Sequence, residues 1–170
     1  DIDADGVDEI LIARPDDDII TQVDTYFCDR MRPEANAWTP EKDILIYRGH
    51  GAPGAIGCFS EFPNGFGNAR PLTFAPTCSS GNYEGDADSG VAETFLEQGG
   101  AVYIGSTETS LRDLNYSAVK QFFRDWGYES AGSAFLDLER SRWNDSGDWN
   151  RWILEYNFYG DPKFGDVLQP

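Results

Sequence analysis

The stretch Asp43-Ile-Leu-Ile-Tyr-Arg-Gly-His-Gly51 joins an apolar run directly to a histidine between two glycines. A short apolar run bounded by turn-forming residues is typical of a strand that is buried on both faces. The stretch Pro71-Leu-Thr-Phe-Ala-Pro-Thr77 repeats this pattern and ends at Cys78. The sequence therefore predicts two buried strands, each followed at once by a chemically reactive side chain.

Strands and helices alternate around these two stretches. Further strands are predicted at Glu9–Ala13 and Ala101–Gly105, and helices after Asp16, at Ser89–Gln98 and at Tyr116–Trp126. Residues 130–169 are rich in aromatic residues and give no clear pattern. Alternation of buried strands with helices predicts a single α/β domain over residues 1–170, with a mainly parallel sheet between layers of helices.

The two reactive residues are expected to meet. Binding sites in parallel sheets form at the carboxyl ends of the strands, and His50 is the only histidine of the chain. An imidazole can take the proton of a thiol such as Cys78 and return it to a leaving amine, while the N–H groups of Gly51 and Cys78 could stabilise an oxyanion. Either residue alone is more often structural, but together they favour a functional pair.

Composition and charge exclude several classes of function. The net charge of -17, with only 13 basic residues, argues against nucleic acid as a partner. No apolar run is long enough to span a membrane. No signal peptide is visible, and the abrupt start suggests a processing boundary. With three cysteines, Cys28 and Cys58 could pair and leave Cys78 free, and no zinc-ligand spacing occurs.

Residues 1–9 have the spacing of a calcium loop. Carboxylates at alternate positions of a tight turn, together with one backbone carbonyl, are the ligands that Ca²⁺ prefers. The predicted ligands are Asp1, Asp3, Asp5, the Val7 carbonyl and Glu9. The alternative is a solvated acidic turn, but closely spaced acids repel one another without a cation. A structural calcium ion is therefore expected.

Several motifs, in order along the chain, resemble those of the gingipain family of cysteine peptidases, which belongs to the caspase-like clan. The resemblance covers the histidine and cysteine stretches, an Asp-rich turn before a strand, a helix with its following strand, and a closing motif. These are Ile44–Gly51, Leu72–Gly81, Asp3–Arg14, Ala92–Leu96 with Gly99–Thr107, and Tyr156–Pro162.

The resemblance implies a caspase-like three-layer sandwich and an endopeptidase that acts on proteins or peptides without an organic cofactor. It assigns Cys78 as the nucleophile that forms a thioester, His50 as the general acid and base, and the Gly51 and Cys78 amides as the oxyanion hole. It also assigns residues 106–112 as a wall of the substrate pocket, represented by Ser106, Thr107, Glu108 and Arg112.

One departure from the family keeps alternatives open. The family has a long segment between the Asp-rich strand and the histidine strand, which holds the carboxylates that orient the histidine and select a basic substrate residue; here about one helix intervenes. Arg or Lys specificity is therefore not inherited. The alternatives are an inactive peptidase-like structural or interaction domain, paired with other chains or the rest of its precursor, and a calcium-binding adhesion module. An extracellular or cell-surface location is expected in each case.

Overall fold

The computed structural model describes residues 10–13, 44–47, 49–57, 65–66, 70–83, 90–127 and 129–165. The predicted calcium loop at residues 1–9, the helix predicted after Asp16, and both Cys28 and Cys58 lie outside these residues.

The described strands form a central sheet and a small hairpin. They are β1 Ile10–Ala13, β2 Ile44–Tyr47, β3 Gly51–Ala52, β4 Ala55–Ile56, β5 Leu72–Ala75, β6 Val102–Ser106 and β7 Tyr156–Gly160. The sheet has the strand order β1-β2-β5-β6-β7, and β3 pairs with β4 separately. The first four strands are parallel and β7 is antiparallel to β6. The predicted mainly parallel sheet is therefore confirmed.

Helices within the described ranges are α1 Val91–Glu97, α2 Arg112–Trp126, α3 Ala131–Arg142 and α4 Gly147–Glu155. Serine side chains cap two of them, because Ser130 accepts from the Ser133 N–H at the start of α3 and Ser146 accepts from the Trp149 N–H at the start of α4. After α1, Gly99 takes a φ of 100°, a conformation that favours glycine and ends the helix.

Apolar side chains cover both faces of the sheet. Along β5 and β6, Leu72, Phe74 and Ile104 pack into one core cluster with helices α2 to α4. On the opposite face, Tyr103 packs into a second cluster with Tyr47 of β2 and with α1. Alternate residues of one strand thus enter different clusters, as the period of a β-strand requires. The result is the predicted sandwich of three layers.

The structure extends and corrects the predicted elements. Helix α2 begins at Arg112 rather than at Tyr116, so the predicted start is wrong. The added turn contains Asn115, a residue type that favours loops in isolation, whose side chain here is buried and hydrogen-bonded to Trp152 and Tyr156. The unassigned C-terminal region contains α3, α4 and β7. The hairpin β3–β4 was not predicted because its strands are only two residues long.

Candidate active site

The histidine predicted to be catalytic lies in the hairpin that follows β2. Its side chain is exposed, while its backbone carbonyl accepts a hydrogen bond from the Gly57 N–H at 2.8 Å. That bond closes the β3–β4 hairpin. The backbone of His50 is therefore fixed, and its imidazole remains open to solvent and to a substrate.

The hairpin packs directly against the segment that carries Cys78. Strands β2 and β5 are parallel neighbours, so their carboxyl ends lie at the same edge of the sheet. A Cβ placed on Gly51 would lie 2.5 Å from the Cys78 carbonyl oxygen and 2.7 Å from the Thr77 Cβ, with the Thr77 hydroxyl closer still. There is no room for a side chain at residue 51. The loops that carry His50 and Cys78 are thus in contact.

Cys78 opens a tight turn after β5, which we call the Cys loop (residues 77–82). The residue is half-buried and its thiol is free. Ser79 has a φ of 54°, which costs a non-glycine residue about 1 kcal/mol. The turn is held by the Asn82 N–H, which donates to the Ser79 carbonyl at 3.1 Å. The strained residue therefore follows the predicted nucleophile directly.

Residues 106–112, which we call the pocket wall, lie beside the Cys loop. The Ser79 N–H donates to the Glu108 carbonyl at 2.8 Å and the Gly81 N–H to the Ser106 carbonyl at 2.7 Å. The Thr77 N–H donates to the Ala75 carbonyl. Because these amides of the Cys loop are occupied, they are not available as oxyanion donors. The oxyanion role of the Cys78 N–H stays a prediction.

The predicted pocket residues differ in what they can offer a substrate. Ser106 is fully buried and its hydroxyl donates to the Glu108 carbonyl at 2.9 Å. It therefore stabilises the backbone of the wall and is not accessible to a substrate. Thr107 donates from both its N–H and its hydroxyl to the Glu155 carbonyl. Glu108 and Arg112 are exposed, and Arg112 is the first residue of α2. Among these four, Glu108 and Arg112 have the accessible side chains.

A buried polar network beneath the pocket wall was not predicted. The Asn115 Oδ1 accepts from the Trp152 Nε1 at 2.9 Å and from the Tyr156 hydroxyl at 2.7 Å. Burial raises the pKa of Tyr156 well above its ordinary value, and its hydrogen bonds to Ser110 and Asn115 oppose only part of that rise. The sequence signal was an asparagine followed far along the chain by a Trp-Tyr pair, and only the fold relates them.

Tyrosines also support the Cys loop from β6 and β7. The Tyr159 hydroxyl donates to the Gly81 carbonyl at 2.5 Å. Burial, together with Tyr83 and Glu93, raises the pKa of Tyr159 to about 12. Tyr103 is fully buried in the cluster behind the loop, and this burial raises the pKa of its phenol far above the usual range. Both phenols therefore stay protonated well above neutral pH, and that of Tyr159 donates a hydrogen bond to the Cys loop.

The metal and membrane predictions have different outcomes. All five predicted calcium ligands lie outside the described residues, so that site stays a prediction. Within the described ranges, no three His, Cys, Asp or Glu residues are grouped so that they could hold a metal ion. In the same part of the chain, no helix combines the length and the apolar character needed to cross a bilayer.

Comparisons with known proteins agree with this geometry. The chain is similar in structure to the separase of Saccharomyces cerevisiae, solved as a separase–securin complex, with a TM-score of 0.66 and 16% sequence identity. The match covers 92% of this chain and 12% of the separase chain, and shows a shared caspase-like fold. A search of curated proteins found no match. The model of peptidase family C25 matches residues 29–165, which include both His50 and Cys78. The chain therefore belongs to peptidase family C25, the gingipain family of the caspase-like clan.

Proposed function

We propose that this chain is a cysteine endopeptidase that hydrolyses peptide bonds through a Cys78 thioester, with His50 as the general acid and base. The observation that carries the proposal is the close packing of Gly51 against the Thr77–Cys78 peptide. This contact puts the histidine hairpin against the cysteine loop at the carboxyl edge of the sheet, where sites of parallel sheets form. Membership of a cysteine peptidase family supports the same reaction class.

The first half of the reaction forms an acyl-enzyme. His50 takes the proton of the Cys78 thiol, and the sulfur attacks the carbonyl carbon of the scissile peptide bond. The carbonyl oxygen becomes an oxyanion, which the N–H groups of Gly51 and Cys78 stabilise. The tetrahedral intermediate then collapses: the C–N bond breaks, His50 gives its proton to the leaving amine, and a thioester remains on Cys78.

The second half releases the acid. Water, with its proton taken by His50, attacks the thioester carbon, and a second oxyanion forms at the same two amides. The C–S bond breaks, and the proton on His50 returns to the sulfur. The exposure of the His50 side chain supports this step, because the imidazole must reach both the leaving amine and the incoming water.

The substrate is proposed to lie along the pocket wall. The Cys loop and the wall are joined by backbone hydrogen bonds, so a residue bound beside Cys78 would contact the exposed Glu108. A protein or peptide chain is the substrate class that this open edge can admit. The calcium site at residues 1–9 and the extracellular or cell-surface location remain separate proposals that rest on the sequence.

Hydrolysis of a peptide library tests this function. The 170-residue chain is incubated with peptides varied at the residue before the scissile bond, with calcium and with a chelator, and the products are identified by mass spectrometry. Cleavage is expected for the unmodified chain and for Gly54→Ala, a control on the hairpin that follows His50 at a position where a Cβ meets nothing within 4 Å. It should be lost in Cys78→Ala and reduced about 10²-fold or more in His50→Ala, as for loss of a general base.

The opposite result would support a different role. If the folded chain with calcium cleaves no peptide, or if Cys78→Ala cleaves as fast as the unmodified chain, the proposed mechanism is wrong. The chain would then be treated as a peptidase-like structural or interaction domain.

A further inference from the structure

The pocket wall is held by hydrogen bonds at each residue from Ser106 to Leu111. The Ser106 and Glu108 carbonyls accept from the Cys loop. Thr107 donates to the Glu155 carbonyl, and the Thr109 carbonyl accepts from the Arg151 Nη2 at 3.1 Å. A loop fixed at successive residues has little freedom to adapt. The wall is thus built as a rigid element.

The link at the far end of the wall passes through Asn115. Its Nδ2 donates to the Ser110 hydroxyl at 2.7 Å, and its backbone N–H donates to the Leu111 carbonyl at 3.0 Å. Its Oδ1 accepts two hydrogen bonds, from Trp152 and Tyr156. An amide that accepts two bonds at its oxygen has its orientation fixed, so its nitrogen is directed at Ser110.

The base of this network does not move easily. Asn115 is 4% exposed, Trp152 1% and Tyr156 2%. The Trp152 and Tyr156 rings stack with their centroids 4.1 Å apart and an interplanar angle of 15°. Buried networks in which every member is satisfied favour a single arrangement. The carboxamide of Asn115 therefore connects the rigid core to the pocket wall, which lies beside the Cys loop.

We propose that Asn115 is a positioning residue. Acting through Ser110, it holds the pocket wall in register with the Cys loop, and so sets how tightly and how selectively the pocket holds the substrate residue next to the scissile bond. This inference rests on the proposed peptidase function for its effect on selectivity. The effect on the position of the wall is independent of that function.

The variant Ser110→Ala separates this role from a merely structural one. It removes the hydroxyl that accepts from the Asn115 Nδ2 and that also hydrogen-bonds to the Tyr156 phenol, so one buried donor loses its acceptor. The bonds from Trp152 and Tyr156 to the Asn115 Oδ1 remain, so the core is expected to stay folded. Ser117→Ala is the matched control, because it removes a helical serine hydroxyl whose contact with the Asp113 carbonyl is long, at 3.4 Å. Asn115→Leu would leave two buried donors without an acceptor and is avoided.

Two measurements decide the proposal. The first is the kinetics of covalent labelling at Cys78 by acyloxymethyl-ketone peptides that differ in the residue before the warhead. Ser110→Ala should weaken the initial binding of the preferred probe about threefold to tenfold, the range of one hydrogen bond. The maximal labelling rate should stay unchanged. The difference in labelling efficiency between the preferred probe and the other probes should become smaller. The second is hydrogen exchange at the Ser79 and Gly81 amides, which should be faster in Ser110→Ala and unchanged in Ser117→Ala.

Different outcomes would overturn different parts of the proposal. Unchanged amide exchange in Ser110→Ala, or the same acceleration in Ser117→Ala, overturns the positioning role. Altered exchange with unaltered probe preference overturns the selectivity claim. If no peptide probe labels the unmodified chain, the proposed peptidase function fails, and amide exchange still decides whether Asn115 positions the wall.

Discussion

At residue 51 the space for a side chain is already occupied. Gly51 is assigned to the oxyanion hole, and a glycine suits that role because no side chain obstructs its N–H. The structure adds a second reason, because the Cys78 carbonyl oxygen lies 2.5 Å from where a Cβ would be. Gly54, two residues beyond Ala52 on the same hairpin, has nothing within 4 Å of such a Cβ. A substitution at Gly54 is therefore a control for the same substitution at Gly51.

The variant Gly51→Ala should destabilise the chain and separate the two loops. Overpacking of this kind costs about 1–3 kcal/mol, and relief of the clash must move the hairpin or the Cys loop. We expect a lower urea midpoint together with slower covalent labelling of Cys78.

The variant Gly54→Ala should leave the labelling rate and the urea midpoint close to those of the unmodified chain. If the two alanine variants behave alike in both measurements, the packing of the hairpin against Cys78 does not hold in solution.

The candidate residues could be predicted from sequence only in part. His50 and Cys78 follow apolar strands, and that local signal is visible in the chain itself. The polar network was missed because Asn115, Trp152 and Tyr156 are distant in sequence, and only α4 and β7 bring them together. Ser106 is assigned to the pocket wall from the sequence, and the burial of its side chain against the Glu108 carbonyl is a tertiary contact that the sequence does not show.

At the scale of elements, buried strands were the most predictable. The strands β2, β5 and β6 and the helix α1 lie where their apolar patterns predicted. The helices α3 and α4 and the strand β7 gave no clear signal, since aromatic residues fit both helix and strand and their burial is decided by tertiary packing. The start of α2 was missed for the same reason, because Asn115 is stabilised by contacts outside the helix.

Helix α4 also provides a test of the wall's outer support. Arg151 forms an ion pair with Glu155, whose side chain is 10% exposed, and donates to the Thr109 carbonyl. Removal of one partner leaves a mostly buried carboxylate without compensation, which costs more than the loss of the pair itself. We expect Arg151→Ala to lower the urea midpoint, and Glu155→Gln in the same chain to restore much of the loss.

Arg140 gives the matched comparison for this prediction. It forms an ion pair with Asp137 at 3.8 Å, and both side chains are largely exposed. Such pairs contribute little, so Arg140→Ala should hardly change the urea midpoint. An equal effect of the two arginine variants, or no recovery with Glu155→Gln, would contradict the account of α4.

At the scale of the whole molecule, the sheet contains tyrosines that resist ionisation. Burial raises the pKa of Tyr103, Tyr156 and Tyr159 above the ordinary value of about 10. In the unfolded chain these phenols would lose their protons at that ordinary value, whereas in the folded chain they keep them. The unfolded state therefore binds fewer protons in this range, and stability falls as pH rises.

This difference predicts alkaline destabilisation. The stability contributed by the neutral phenols is complete below pH 10 and should be lost progressively above it. For Tyr159 the loss extends to its folded pKa of about 12, and for Tyr103 and Tyr156 it continues to higher pH. Urea midpoints measured from pH 8 to pH 11.5 should decline steeply above pH 10. The variant Tyr103→Phe should weaken that decline, whereas Tyr116→Phe, at a residue 61% exposed, should not. An equal decline in both variants would show that other groups cause it.

Covalent labelling at Cys78 tests the central claim, that His50 and Cys78 act as a catalytic pair, most directly. The chain is treated with acyloxymethyl-ketone peptides varied at the residue before the warhead, and the modified residue is identified by mass spectrometry. The account predicts modification at Cys78 by a subset of the probes, none in Cys78→Ala, and a rate at least about 10²-fold lower in His50→Ala. No labelling of the folded chain with calcium present, or equally fast labelling in His50→Ala, would contradict it.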